Sequence, residues 1–186
     1  MKANPELPAK LIIGLGNPGT EFENTYHNVG FLAIDALLKT VRQDGIWKDH
    51  KKIFSYIQSE GTIFIKPLTF MNESGVAVRE ALKKFGVPTE EMAVLHDESD
   101  LAIGTFKVSL GKNAAGHNGV QSIIDHVGTN EFRRIRIGIR PAHEAKRKKA
   151  SALVLSKITK PDLKSLEEVF GKINELIGQW FLVIRG

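Results

Sequence analysis

The chain has 186 residues, 42% hydrophobic and 25% charged, proportions that exclude collagen-like, low-complexity and extensively disordered classes and argue for one domain over residues 1–186. It has no run of ~18 apolar residues to cross a bilayer, and Met1 to Lys10 lacks the apolar stretch of a secretory signal, so a cytoplasmic protein without a membrane partner is expected. The absence of cysteine excludes disulfides, thiolate chemistry and cysteine-ligated metal, while 26 Lys+Arg against 21 Asp+Glu give a net charge of +5 that attracts polyanions such as RNA or DNA.

Along the chain, Lys10 to Leu15 is a short apolar run ending in a glycine-rich turn, the pattern of a buried strand feeding a loop. Ile34, Leu37, Leu38 and Val41 recur at helical spacing, which predicts a helix from about Gly30 to Arg42, with Gly45 ending the unit. Lys52 to Ser59 and Thr62 to Lys66 flank Glu60-Gly61 as two strands around a tight turn. A helix capped by Ser74 follows, with Val78, Ala81, Leu82 and Phe85 on one face and Gly86 and Pro88 stopping it.

Met92 to His96 reads as a buried strand with Asp97 at its end. Phe106, Val108 and Leu110 alternate with Thr105, Lys107 and Ser109, and Ile135, Ile137 and Ile139 with Arg134, Arg136 and Gly138, so basic groups are expected on the less buried faces of two strands. His117 to Val127 carries a helical pattern. The last helix starts near Thr159, Pro161 and Asp162, with Leu163, Leu166, Phe170, Ile173, Ile177 and Trp180 in one stripe. Lys146 to Lys149 is an exposed basic loop by composition. Strands interleaved with helices, without an internal repeat, predict an α/β fold on a largely parallel or mixed sheet.

Gly14 to Gly19 matches the dinucleotide-binding glycine pattern after a strand. That motif needs a helix opening at the glycines, whereas Pro18 and the polar stretch Thr20 to Asn28 delay the helix, and Asp35 lies inside it instead of ending a second strand. Of six histidines, only His27, His96 and His117 stand beside strand ends and loops, and no His-Glu-x-x-His spacing suggests zinc. Gly-x-Ser-x-Gly is missing as well. Histidine with a carboxylate remains: His27 in a loop and Asp97 at a strand end, where ligands bind in open α/β folds. Asn17, Asn72 and Asn118 lie in comparable places; each alone is a common turn or cap residue, but with His27 and Asp97 they form a candidate site.

Gly14-Leu-Gly-Asn-Pro-Gly19, Thr25-Tyr-His-Asn-Val-Gly30, Lys66-Pro-Leu-Thr-Phe-Met-Asn72 with Ser74-Gly75, His96-Asp-Glu-Ser-Asp-Leu101, Gly116-His-Asn-Gly119 and Phe132-Arg-Arg-Ile-Arg-Ile-Gly-Ile139 together resemble the bacterial-type peptidyl-tRNA hydrolase family from Lys10 to about Trp180. The resemblance implies one α/β domain with a twisted mixed sheet between helices, acting as a monomer on peptidyl-tRNA without metal or cofactor. His27 would be the catalytic base and Asp97 its orienting partner. Asn17, Phe22, Phe70, Met71, Asn72 and Asn118 would bind the peptide and ester region, and Lys107, Lys112 and Arg136 the tRNA. Phe22 stands where the family usually has tyrosine, Tyr26 where it has arginine, Ser99 where it has leucine and Ser109 where a basic residue is common; Gly138-Ile139-Arg140 lacks a second glycine. Two other classes compete, a dinucleotide-dependent oxidoreductase using the glycine loop and a noncatalytic RNA-binding factor that keeps this fold.

Overall fold

The computed structural model describes residues 9–40, 46–59, 61–141 and 149–184. Expectations for Val41, Arg42, Gly45, Glu60, Lys146 to Lys148 and the Trp180 side chain lie outside the described residues. The apolar run LIIG forms β1 (Leu11–Gly14), buried along its whole length. It pairs in parallel with β4 (Thr62–Pro67) on one side and β5 (Met92–Ala102) on the other, and a strand covered on both faces has no use for polar alternation.

Outside β4 lie β3 (Phe54–Ser59) and β2 (Lys48–His50), both antiparallel; outside β5 lie β7 (Arg133–Arg140), parallel, and β6 (Phe106–Leu110), antiparallel. Among the described residues the result is a seven-stranded mixed sheet in the order β2-β3-β4-β1-β5-β7-β6. On one face, Ile34 and Leu37 of α1 (Val29–Thr40) and Leu166, Phe170 and Ile173 of α5 (Lys160–Ile184) pack with Ile12, Leu95 and Ile135. On the other, Val78 and Ala81 of α2 (Ser74–Phe85) and Val120 and Ile123 of α3 (Asn118–Val127) pack with Ile13, Ile65 and Val94. A short helix, α4 (Ala150–Val154), adds Leu153 to the first layer.

Gly30 lets α1 sit directly on the sheet, because a Cβ there would collide with the Leu95 carbonyl and the Leu15 backbone. Since β1 connects first toward β4 and the chain then crosses to β5, the order reverses at β1. A crevice opens outside the carboxyl ends of such strands.

Several local expectations change. β5 runs on to Ala102 through the polar residues His96 to Asp100, because β7 supplies ladder partners there, and Asp97 lies opposite Ile137 inside the strand, not at its end. β3 starts at Phe54, after Lys51 and Lys52 take positive φ, and β2 is an additional edge strand. Val108 is 42% exposed on edge strand β6. Arg133 and Arg134 are buried, because β7 is an interior strand; Arg133 Nη2 donates to the Glu90 carbonyl at 2.9 Å and Arg134 Nη1 to the Asn113 carbonyl at 3.0 Å. Ser74 does not cap α2: it is the first helical residue, and its hydroxyl donates to the Met71 carbonyl at 2.9 Å.

The loop after β1 is fastened to the start of α5. Thr25 bridges Lys157, the Tyr26 N–H donates to the Ser156 carbonyl at 3.2 Å, and the buried Tyr26 hydroxyl donates to the Asp162 carboxylate. Burial, then the hydrogen bond and charge of Asp162, push the Tyr26 phenol up to about 12. A phenol whose folded pKa is raised keeps its full contribution below the unfolded value of 10.0 and loses it as pH rises toward the folded one. The melting temperature should therefore fall between about pH 10 and 12, and Tyr26→Phe should flatten that fall while costing roughly 1–2 kcal/mol at neutral pH. An identical alkaline limb in the variant, followed by thermal melts, would rule out this anchor.

Candidate active site

The loop after β1, which carries His27, and the turn before α3, which carries His117, converge on Asp97 inside β5. His27 arrives on the 3-10 turn Tyr26–Asn28 and places Nδ1 2.8 Å from Asp97 Oδ1. His117, at the N-cap of α3, places Nε2 2.9 Å from the same oxygen. Its Nδ1 accepts the Val120 N–H at 3.2 Å, so the proton of the neutral ring must sit on Nε2 and point at Asp97. Asp97 is 3% exposed. Burial alone would raise its carboxyl, but the charge and hydrogen bond of His117, then those of His27, hold it well below the usual carboxylate range. An anionic Asp97 takes Nδ1–H from His27, which leaves Nε2 of that ring as its basic nitrogen.

His96 lies beneath. Its Nδ1 donates to the Asp97 carbonyl at 2.7 Å, its ring meets His117 edge-on at 4.6 Å, and burial, with the charge of His117, pushes its pKa well down, so it stays neutral. His27, Asp97 and His117 bring ligand-type atoms within 4.8 Å of one another, so these are the described residues that could hold a cation. With protons on the two nitrogens that face the shared oxygen, the trio is a hydrogen-bond network.

Around it, a cleft of about 190 Å³ is lined by His27, Asp97, Glu98, His117, Asn118 and Val154, among others. Asn118 is exposed at the first position of α3. Asn17 is buried and structural as well as local to the site: its Oδ1 accepts the Met71 N–H at 2.8 Å, and Asn28 clasps its backbone with bonds of 2.9 Å to both N and O. Gly119 lacks the Cβ that would strike Met71 Sδ, so the turn before α3 closes onto the loop after β4. Phe22 and Phe70 meet edge to face at 6.3 Å, with Phe70 54% exposed, and Asn72 is exposed on the turn Met71–Glu73.

Lys107 and Lys112 are exposed on β6 and the loop beyond it. Arg136 is not a freely solvated side chain: its Nε and Nη2 donate to Glu98 Oε2 at 3.0 and 2.8 Å. Sequence reasoning left Glu98, Asn28 and the second imidazole of Asp97 without a role, although His117 stood within Gly116-His-Asn-Gly119 and Glu98 beside Asp97. The glycine loop holds no helix N-terminus either, since two 3-10 turns, Thr20–Phe22 and Tyr26–Asn28, precede α1.

The family model described as peptidyl-tRNA hydrolase matches residues 11–183. A peptidyl-tRNA hydrolase of Mycoplasma capricolum is 39% identical over 174 residues, covering 92% of each chain, and one of Bacillus cereus is 38% identical over the same share. The crystal structure of peptidyl-tRNA hydrolase from Acinetobacter baumannii superposes with a TM-score of 0.82 at 30% identity, covering 94% of this chain and 89% of that one.

The Asn17 and Asn72 amides differ in what they hold. Asn17→Ala strands the buried Met71 N–H and should cost about 1–3 kcal/mol of folding stability in urea titrations. Asn72→Ala removes an exposed amide and should cost under about 0.5 kcal/mol. Equal losses from the two substitutions would contradict the Asn17–Met71 tie.

Proposed function

The chain belongs to the peptidyl-tRNA hydrolase family, a hydrolase acting on peptidyl-tRNA, and from that premise we propose that it cleaves the ester with water activated by His27 and Asp97. The observation that supports this reading best is the His27 Nδ1 to Asp97 Oδ1 bond of 2.8 Å at the edge of the cleft. Nε2 of neutral His27 takes a proton from water as its oxygen attacks the ester carbonyl carbon. Asp97 fixes the tautomer and stabilises the imidazolium. When the tetrahedral intermediate collapses, the bond from carbon to the ribose oxygen breaks. The imidazolium then returns the proton to that oxygen, giving free tRNA and a peptide carboxylic acid, which ionises.

Asn72 and Asn118 offer amide N–H groups to the oxyanion and to the water or peptide backbone, a contribution of a few kcal/mol for a well-placed donor. Asn17 and Met71 shape the floor for the peptide, and the Phe22–Phe70 pair offers apolar area to its side chains. Arg136, Lys107 and Lys112 take tRNA phosphates. Residues 1–186 act as one cytoplasmic, monomeric domain without metal or cofactor.

The direct test is incubation with N-acetyl-aminoacyl-tRNA and with unblocked aminoacyl-tRNA, in which only the blocked amino acid should be released. His27→Ala should lower that rate by roughly 10³-fold or more while tRNA binding and the circular-dichroism spectrum persist, and Asp97→Asn should leave a slow enzyme, down roughly 10²-fold or more. Asn72→Ala should be slower by roughly 10²-fold. Parent-like hydrolysis by His27→Ala would sink the mechanism. Retained tRNA binding with no cleavage by the parent would favour a noncatalytic RNA-binding factor.

A further inference from the structure

Glu98 follows Asp97 in β5 and borders the same cleft, yet the ester chemistry has no use for it. Its Oε2 accepts from Nε and Nη2 of Arg136 at 3.0 and 2.8 Å, and its Oε1 accepts the Asp100 N–H at 3.1 Å. The Glu98 side chain is 9% exposed, whereas Arg136 keeps 26% of its own surface in solvent. Arg136 stands opposite the exposed Lys107 in the β6–β7 ladder, and a second exposed lysine, Lys112, follows in the loop beyond β6. A carboxylate is thus sunk into a basic surface, occupying the Nε–Nη2 edge of a guanidinium.

That edge is also the one that fits phosphate oxygens. While Glu98 holds it, the pair is neutral and attracts RNA less than a bare arginine would. The guanidinium keeps part of its surface in solvent, where an incoming phosphate can reach it, and Glu98 keeps the Asp100 N–H on Oε1 when it gives up Arg136.

Resting on the reading of Arg136 as a tRNA contact, we propose that Glu98 is a positioning residue that competes with a tRNA backbone phosphate for Arg136. In the free enzyme it holds the guanidinium extended along β7. On binding, phosphate takes the Nε–Nη2 edge; as deacylated tRNA leaves, Glu98 reclaims it. Grip on the RNA is thereby traded for release of the product.

The test measures deacylated-tRNA affinity by fluorescence anisotropy over a series of salt concentrations for the parent, Glu98→Gln, Arg136→Ala and the double variant. Glutamine keeps the shape and loses the charge, so Glu98→Gln should bind about tenfold more tightly, with a salt slope steeper by about one ion. Inhibition of hydrolysis by deacylated tRNA should strengthen by the same factor. In the Arg136→Ala background, Glu98→Gln should change affinity by less than about twofold. Equal tightening in both backgrounds would make Glu98 merely a nearby negative charge, and no tightening in the parent background would make it a structural brace; either overturns the proposal. If Arg136→Ala leaves affinity and slope unchanged, the RNA role of Arg136 has failed and the competition falls with it, whereas the His27 assay is unaffected. Should Glu98→Gln melt early, Glu98→Asp, which withdraws the carboxylate from Arg136, should tighten binding by a smaller factor, again only where Arg136 is present.

Discussion

A carboxylate removed from water is costly unless donors replace its hydration, and Asp97 is almost completely buried. Its Oδ1 receives one imidazole from the loop after β1 and another from the N-cap of α3. The two segments are 90 positions apart in the chain, and one oxygen atom holds both. Because the Val120 N–H occupies His117 Nδ1, the second imidazole cannot turn its ring without giving up the cap of its own helix. His117 is therefore a fixed donor, and the orientation of His27 is set against an acceptor that cannot drift.

The sheet prepares this meeting. The reversal of strand order at β1 puts the loop after β1 beside β5, and small residues let the layers close. Gly30 brings α1 onto β1 and β5, and Gly119 brings the start of α3 against Met71. Met71 is in turn fixed through its N–H to Asn17, which Asn28 clasps. A chain of backbone and amide hydrogen bonds thus connects the loop after β4 to the residue next to His27. In that sense Asn28 supports the site without facing it.

Legibility in the sequence followed how local the determining physics was. The apolar runs of β1 and the first part of β5, and the helical stripes of α1, α2, α3 and α5, are short-range patterns and could be read directly. The second half of β5 could not: Asp97 to Asp100 look like a loop, and only the ladder to β7 makes them strand. Arg134 misled for the same reason, since its burial depends on which strand lies outside its own. His27 and the asparagines could be singled out because they stand in turns beside strand and helix ends, and Asp97 because it follows the apolar run of β5, although the ladder places it inside the strand. The pairings of His117 with Asp97, Glu98 with Arg136 and Tyr26 with Asp162 join positions 20, 38 and 136 apart, and no periodicity records such contacts.

The extra length of β5 has a chemical meaning. Had the strand stopped at His96, Asp97 and Glu98 would lie in a loop, and the entropy of ordering two charged side chains there would fall on the loop alone. Inside the ladder, their backbones are fixed by β7, opposite Ile137 and Gly138. Gly138 permits this closeness, because a side chain there would strike the Ala102 carbonyl where the register between β5 and β7 shifts. Two consecutive carboxylates are held this way with different partners, imidazoles for Asp97 and a guanidinium for Glu98. Imidazole is a group that can carry a proton through a reaction at neutral pH, whereas a guanidinium stays charged and can only change the anion it holds. One strand therefore presents, at adjacent positions, a partner suited to ester chemistry and a partner suited to phosphate.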